Sequence, residues 1–134
     1  MQKIPKEAIP MIDFQNAKYI KLRAVSPEKF MKPVGAMLVQ GEEIAFCFQG
    51  IRDYLIFTDR RLITVNIQGV TGKKQDFTTL PYKRIQTWSV ETAGIFDLDS
   101  ELELWFSGLG KVHLEFTGGT DVAAICRLIG ECML

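Results

Sequence analysis

Histidine is almost missing from this sequence of 134 residues: His113 is the only one. By sequence spacing alone a metal-ligand role for it would call for a second histidine or a cysteine pair, and the chain offers neither, so no metal site is expected. Cysteine is scarce as well. Cys47, Cys126 and Cys132 form an odd set without a CxxC, and the last two are six residues apart, off a shared helical face. A disulfide framework is therefore not expected, and three unpaired thiols suit a reducing cytoplasm. No apolar run approaches the ~18 residues of a spanning helix. The N-terminal MQKIPKEAIP lacks the long apolar core of a secretory signal. Net charge is absent too, with 16 basic against 16 acidic residues. That argues against a dedicated nucleic-acid binder, whose contact surface is strongly basic. There is no nucleophile elbow, no GxxxxGK[ST] and no GxGxxG. GLG at 108–110 and QGVTGKK are too short to cradle a nucleotide, and neither opens a helix. No motif marks a nucleophile or a base, so neither catalysis nor a cofactor is expected.

What is present points to one domain of mainly β structure. The length suits a single core that needs no disulfide or metal staple. Charge is unevenly spread. Residues 1–40 carry seven Lys/Arg against three acidic residues, a net of +4, and residues 41–134 carry −4. Segments of opposite sign can dock on one another, within one chain or between copies.

Along the chain, residues 1–25 read as an N-terminal arm, with Pro5 and Pro10 against a core element. Within it KYIKLRA permits a strand and DFQNAKYI a helix. From Ser26 a helical lead-in spans 26–41: Ser26 as N-cap, Pro27 at the first helical position, a break at Pro33 and a stop at Gly41. Seven strands follow between about 43 and 117. EIAFCFQ, YLIFT, RLITVNI, KQDFTTLPY, RIQTWSVET, SELELWF and KVHLEFT are joined by short turns such as TDRR and SGLG. SELELWF turns Leu102, Leu104 and Phe106 inward; KVHLEFT turns Val112, Leu114 and Phe116 inward and leaves Lys111, His113 and Glu115 outside. This period-2 pattern belongs to antiparallel strands with one wet face. The period then changes. Residues 120–133 form a helix with Thr120 as N-cap, and apolar character extends around most of the cylinder. The spare apolar face, holding Ala124 and Leu128, is a candidate partner surface.

Seven antiparallel strands capped by a C-terminal helix is the pleckstrin-homology-like order. Three separated blocks are more specific: RDYLIFTDRRLITVNIQGVTGKK, then LPYKRIQTWSVETAG, then FDLDSELELWF. Together they resemble the bacterial pleckstrin-homology domain family over residues 26–117 and the C-terminal helix, with residues 1–25 outside the resemblance. The resemblance implies a bacterial protein with a seven-stranded barrel or sandwich, short N-terminal helices and a capping C-terminal helix. It also implies self-assembly, since members, mostly of unknown biochemical role, form ring-like homo-oligomers; a scaffold that works by protein binding rather than catalysis is the expected role.

The same topology places the loops at 49–53 and 69–74 at one end of the barrel. Arg52, Lys73 and Lys74, with Lys111 after the sixth strand, are the candidate contacts for an anion or lipid. The TDRR turn lies at the other end. Phosphoinositide-binding members carry several Lys/Arg around the first loop, whereas GIRDY offers Arg52 with Asp53 beside it. Each basic residue near an anionic membrane contributes ~1 kcal/mol, so four reach roughly millimolar affinity. Weak membrane contact is thus the second reading, and a specific phosphoinositide site is not expected. FDLDS lacks the oxygen ligands and glycine of a calcium loop, and reads as an Asx-type turn. Trp105, pointing outward, and Phe96, in the loop after Gly94, join Ala124 and Leu128 as candidate oligomer contacts. A small enzyme is a third reading, which would require a polar pocket holding a residue of shifted pKa.

Overall fold

The computed structural model describes residues 17–69, 74–92 and 99–134. Eight strands and one α-helix make up the frame. They are β1 (Ala17–Ala24), β2 (Ile44–Gln49), β3 (Asp53–Thr58), β4 (Arg61–Gln68), β5 (Lys74–Pro81), β6 (Ile85–Thr92), β7 (Ser100–Phe106), β8 (Gly110–Phe116) and α1 (Val122–Met133). The strands form one sheet in the order β5-β4-β3-β2-β1-β8-β7-β6. All neighbours are antiparallel except β1 and β8, which run parallel.

Strand alternation builds the interior. Phe48, Leu55, Phe57, Leu62, Leu80, Leu102, Leu104, Phe106, Val112, Leu114 and Phe116 all face one core. α1 closes it with Val122, Ile125 and Ile129. Residues of opposite parity on β2–β4, namely Cys47, Ile56, Ile63 and Val65, form a second cluster with Phe30 and Val34. The sheet is therefore covered on both faces where the lead-in crosses it, which explains why YLIFT is apolar throughout.

Three expectations need correction. Among the described residues the strands number eight, not seven, and the added one is β1. It carries Tyr19 and Leu22 into the core, so a domain boundary at residue 25 would cut through the sheet. Tyr19 and Leu22 are three apart and both point inward, which strict alternation forbids. A bulge between them, with Lys21 at φ 54, corrects the phase. Next, the lead-in is not α-helical. It holds only two 3-10 turns, Pro27–Phe30 and Gly35–Met37, separated around Pro33. Ser26 does cap the first, accepting from the Glu28 amide at 3.4 Å. Finally, the N-cap of α1 is Asp121, which accepts from the Ala124 amide at 3.0 Å. Asp and Thr both suit an N-cap, and the difference is one residue of register.

The TDRR turn is an anchor for the lead-in. Glu42 is only 7% exposed. Its carboxylate accepts from Arg61 Nε at 2.9 Å and Arg61 Nη2 at 3.0 Å, from Thr58 Oγ1 at 2.6 Å and from the Val39 amide at 3.0 Å. Arg61 also donates to the Met37 carbonyl and to Thr79 Oγ1, each at 2.9 Å. Burial pushes the Glu42 carboxyl up, but the donors from Arg61, Thr58 and Val39, with the Arg61 charge, prevail and hold it at about 2. From the other side, Tyr82 Oη donates to the Thr58 carbonyl at 2.7 Å and Cys132 Sγ to the Asp59 carbonyl at 2.8 Å. The turn is thus tied to the lead-in, to the β5–β6 link and to α1.

Candidate functional site

The β2–β3 and β4–β5 connections do share one end of the sheet. Arg52 Nη2 donates to the Gly69 carbonyl at 3.2 Å, and the last β4–β5 pair is Gln68 with Lys74. Gly50 makes the close turn possible: a Cβ there would stand 3.3 Å from the Ile20 carbonyl oxygen and from Leu22 Cδ2. Lys74 is exposed, and Lys73 lies outside the described residues. Asp53 sits beside Arg52; burial pushes its carboxyl up, and the Arg52 charge works against that. Ile51, at the tip of the turn, is 66% exposed. The end therefore offers two cations, a half-buried acid and one apolar tip.

Lys111 is occupied elsewhere. It lies on the outer face of β8, 3.0 Å from Glu103 Oε2 and 5.7 Å from the centre of the Trp105 ring. Of the proposed anion contacts, Arg52 and Lys74 come together, and Lys111 belongs to a different cluster.

That cluster is centred on His113. Register sets Glu103 opposite His113 and Glu101 opposite Glu115. His113 Nδ1 is 3.0 Å from Glu103 Oε2, and Nε2 is 3.2 Å from Glu115 Oε1. The imidazole, and then the Lys111 ammonium, hold the Glu103 carboxyl below its ordinary value. Lys18 on β1 approaches Glu115 at 3.8 Å. The grouping escapes a search for local motifs because its members come from three strands. The signal that could have found it is the SGLG turn, which fixes which outward residues of SELELWF and KVHLEFT face each other.

The candidate oligomer contacts fall on different surfaces. Trp105 is 46% exposed on the outer face. Ala124 and Leu128 are half-buried, and Leu128 packs on the chain's own core with Cys126, Cys132 and Met133. The helix thus spends more of its apolar surface on its own sheet than its composition suggests. Phe96 lies outside the described residues, as does Asp97 of FDLDS. Among the described residues β6 has a neighbour on one side only, as has β5. β6 is exposed along most of its length, with Val90 at 44%. No described helix is long and apolar enough to cross a membrane.

Comparison with known proteins fits this geometry. A family model described as Bacterial PH domain matches residues 13–133. The uncharacterized protein YjqA of Bacillus subtilis (strain 168) is 48% identical over 121 residues, covering 88% of this chain and 93% of that protein. A crystal structure of a DUF1696 family protein with a pleckstrin-homology domain, from Shewanella loihica PV-4, has 39% identity and a TM-score of 0.73. It covers 86% of this chain and 99% of its own. A pleckstrin homology domain from Shewanella amazonensis SB2B, at 40% identity and a TM-score of 0.61, covers 82% and 90%.

Proposed function

The chain belongs to the bacterial PH domain family, and from that membership we propose a non-catalytic scaffold that works by binding copies of itself, in a closed ring. The β6 edge carries this reading. It is eight residues long, exposed, and free of the lysine and proline that commonly guard such an edge. Among the described residues the outer backbone donors and acceptors of β6 have no strand neighbour and can take a strand from a second copy; pairing with that copy's other edge, β5, makes the contact head-to-tail, the type that builds a ring when its rotation closes. Trp105, one strand in from that edge, supplies an aromatic anchor. A reducing, cytoplasmic setting fits three free thiols.

Light scattering on the full chain tests the reading. Wild type is expected at a multiple of the chain mass. Val90→Lys and Trp105→Ser, both at exposed positions, are expected to lower that mass while leaving the fold intact. A monomeric wild type contradicts the proposal.

A second reading rests on Ile51. An exposed apolar tip beside Arg52 and Lys74 suits weak contact with an anionic membrane, in which the tip enters the interface and the cations meet headgroups. Sedimentation with vesicles containing phosphatidylserine separates the two readings. Binding that disappears in Ile51→Asp and in Lys74→Glu would favour the membrane role, and no binding would leave self-assembly alone.

A further inference from the structure

The outer face of β7 and β8 carries a set of nitrogen and oxygen ligands that neither self-assembly nor lipid contact uses. Glu101 and Glu115 stand directly opposite each other. Like charges in such a pair repel, so the pair calls for a cation. His113 Nε2 is 3.2 Å from Glu115 Oε1 and 3.9 Å from Glu101 Oε2, and one ligand atom from each of the three residues lies within 4.8 Å of the others. The imidazole is held from behind, with Nδ1 3.0 Å from Glu103 Oε2.

Hydrogen-bond arithmetic sharpens this. A neutral imidazole has one N–H. If that proton is on Nδ1 and donated to Glu103, Nε2 turns a lone pair toward two carboxylates, an arrangement that a cation between them satisfies. A metal-bound histidine has the same arrangement, its second ring nitrogen donating to a carboxylate. Ligands about 2.0–2.1 Å from a tetrahedral zinc ion stand roughly 3.3 Å apart. The His113–Glu115 edge already has that length. Glu101, with its side chain 41% exposed, has room to close the remainder by a rotamer change. Lys111 serves Glu103 rather than the three ligand atoms, and Lys18 reaches Glu115 only at 3.8 Å from a mostly exposed position.

The geometry points to a three-ligand site for a borderline divalent cation of the Zn²⁺ type, formed by Glu101, His113 and Glu115, with Glu103 as a positioning residue. One nitrogen and two oxygens suit Zn²⁺ better than Mg²⁺ or Ca²⁺, which require more oxygen ligands. Three protein ligands leave a coordination position for water or for a donor from another molecule.

His113 is the only imidazole in the chain, so its ¹⁵N resonances report this site alone. The full chain is titrated with ZnCl₂ at neutral pH in a Cys126→Ser/Cys132→Ser background, which removes the half-buried thiols as competing ligands. The expected result is that the Nε2 resonance shifts on zinc addition while Nδ1 keeps its proton, and that MgCl₂ moves neither. Glu115→Gln and Glu101→Gln are expected to weaken zinc binding at least about tenfold, with Glu103→Gln costing about tenfold through the imidazole's orientation. The amide spectrum of each variant confirms folding. A His113 ring protonated on both nitrogens and indifferent to zinc would overturn the proposal, since a proton then does the work assigned to the metal. Zinc affinity unchanged by Glu115→Gln would overturn it equally.

Discussion

Glu42 is the residue on which the lead-in depends most. Replacing Arg61 by methionine removes both of its hydrogen bonds to Glu42, with those to the Met37 carbonyl and Thr79, and leaves the carboxylate buried beside Thr58 and the Val39 amide. Breaking one side of a buried pair costs about 3 kcal/mol, and urea unfolding at neutral pH measures it. The pH dependence has a definite sign. The folded-state carboxyl lies at about 2, below its ordinary value of 4.5. Its contribution is therefore complete above the ordinary value and is lost as pH falls from there toward about 2. Glu42→Gln is expected to be less stable than wild type at neutral pH and to show a flatter stability profile in that acid window. Parallel profiles would remove Glu42 from the account. Cys47 makes a simpler case. Burial pushes its thiol up to about 11, so in the native state at mildly alkaline pH it is expected to alkylate far more slowly than in urea, as mass spectrometry of labelled peptides would show.

At the scale of elements, periodicity decides what could be read in advance. SELELWF and KVHLEFT alternate without interruption, and each of their inward residues is buried. KYIKLRA permits a strand, but the bulge at Lys21 breaks its alternation, so the pattern does not show that β1 belongs to the core sheet. A lysine in the left-handed region is strained. Lys21→Gly is expected to stabilise the fold by about 1 kcal/mol if the bulge survives, whereas Lys21→Val is expected to destabilise it; thermal unfolding separates the two. The lead-in misleads for a different reason. Ser26, Pro27 and Glu28 are genuine helix-start signals, but Pro33 lacks the amide that would bond back to Lys29, and the segment closes as two 3-10 turns joined by two i→i−4 bonds, Val34 to Phe30 and Gly35 to Met31. On α1, the spacing of Val122, Ile125, Cys126, Ile129, Cys132 and Met133 marks one helical stripe, and all six meet the core. That Leu128 also reaches it depends on how the helix sits across the sheet, which one helix's pattern does not contain. Asp121→Ala should cost about 1 kcal/mol through the lost cap. Ile129→Ala should cost about 3 kcal/mol, because the side chain is fully buried. The His113 cluster is the least legible feature, since its charges meet only through the β7–β8 and β1–β8 registers.

For the whole molecule, the two ends of the sheet do different work. One end is closed by α1 and the Glu42–Arg61 anchor. The other carries Arg52, Lys74 and the exposed Ile51. Between them, β6, an edge strand among the described residues, has the aromatic Trp105 beside it, on a chain whose N-terminal part is positive and whose remainder is negative. Both features favour association of copies, and charge-assisted docking weakens as salt screens it. Assembly is therefore expected to loosen, though not vanish, as ionic strength rises. The most direct test of self-association is sedimentation equilibrium of the full chain across the micromolar range. The account predicts a mass that is a fixed multiple of the chain mass and that falls for Val90→Lys. A single-chain mass at every concentration would contradict it.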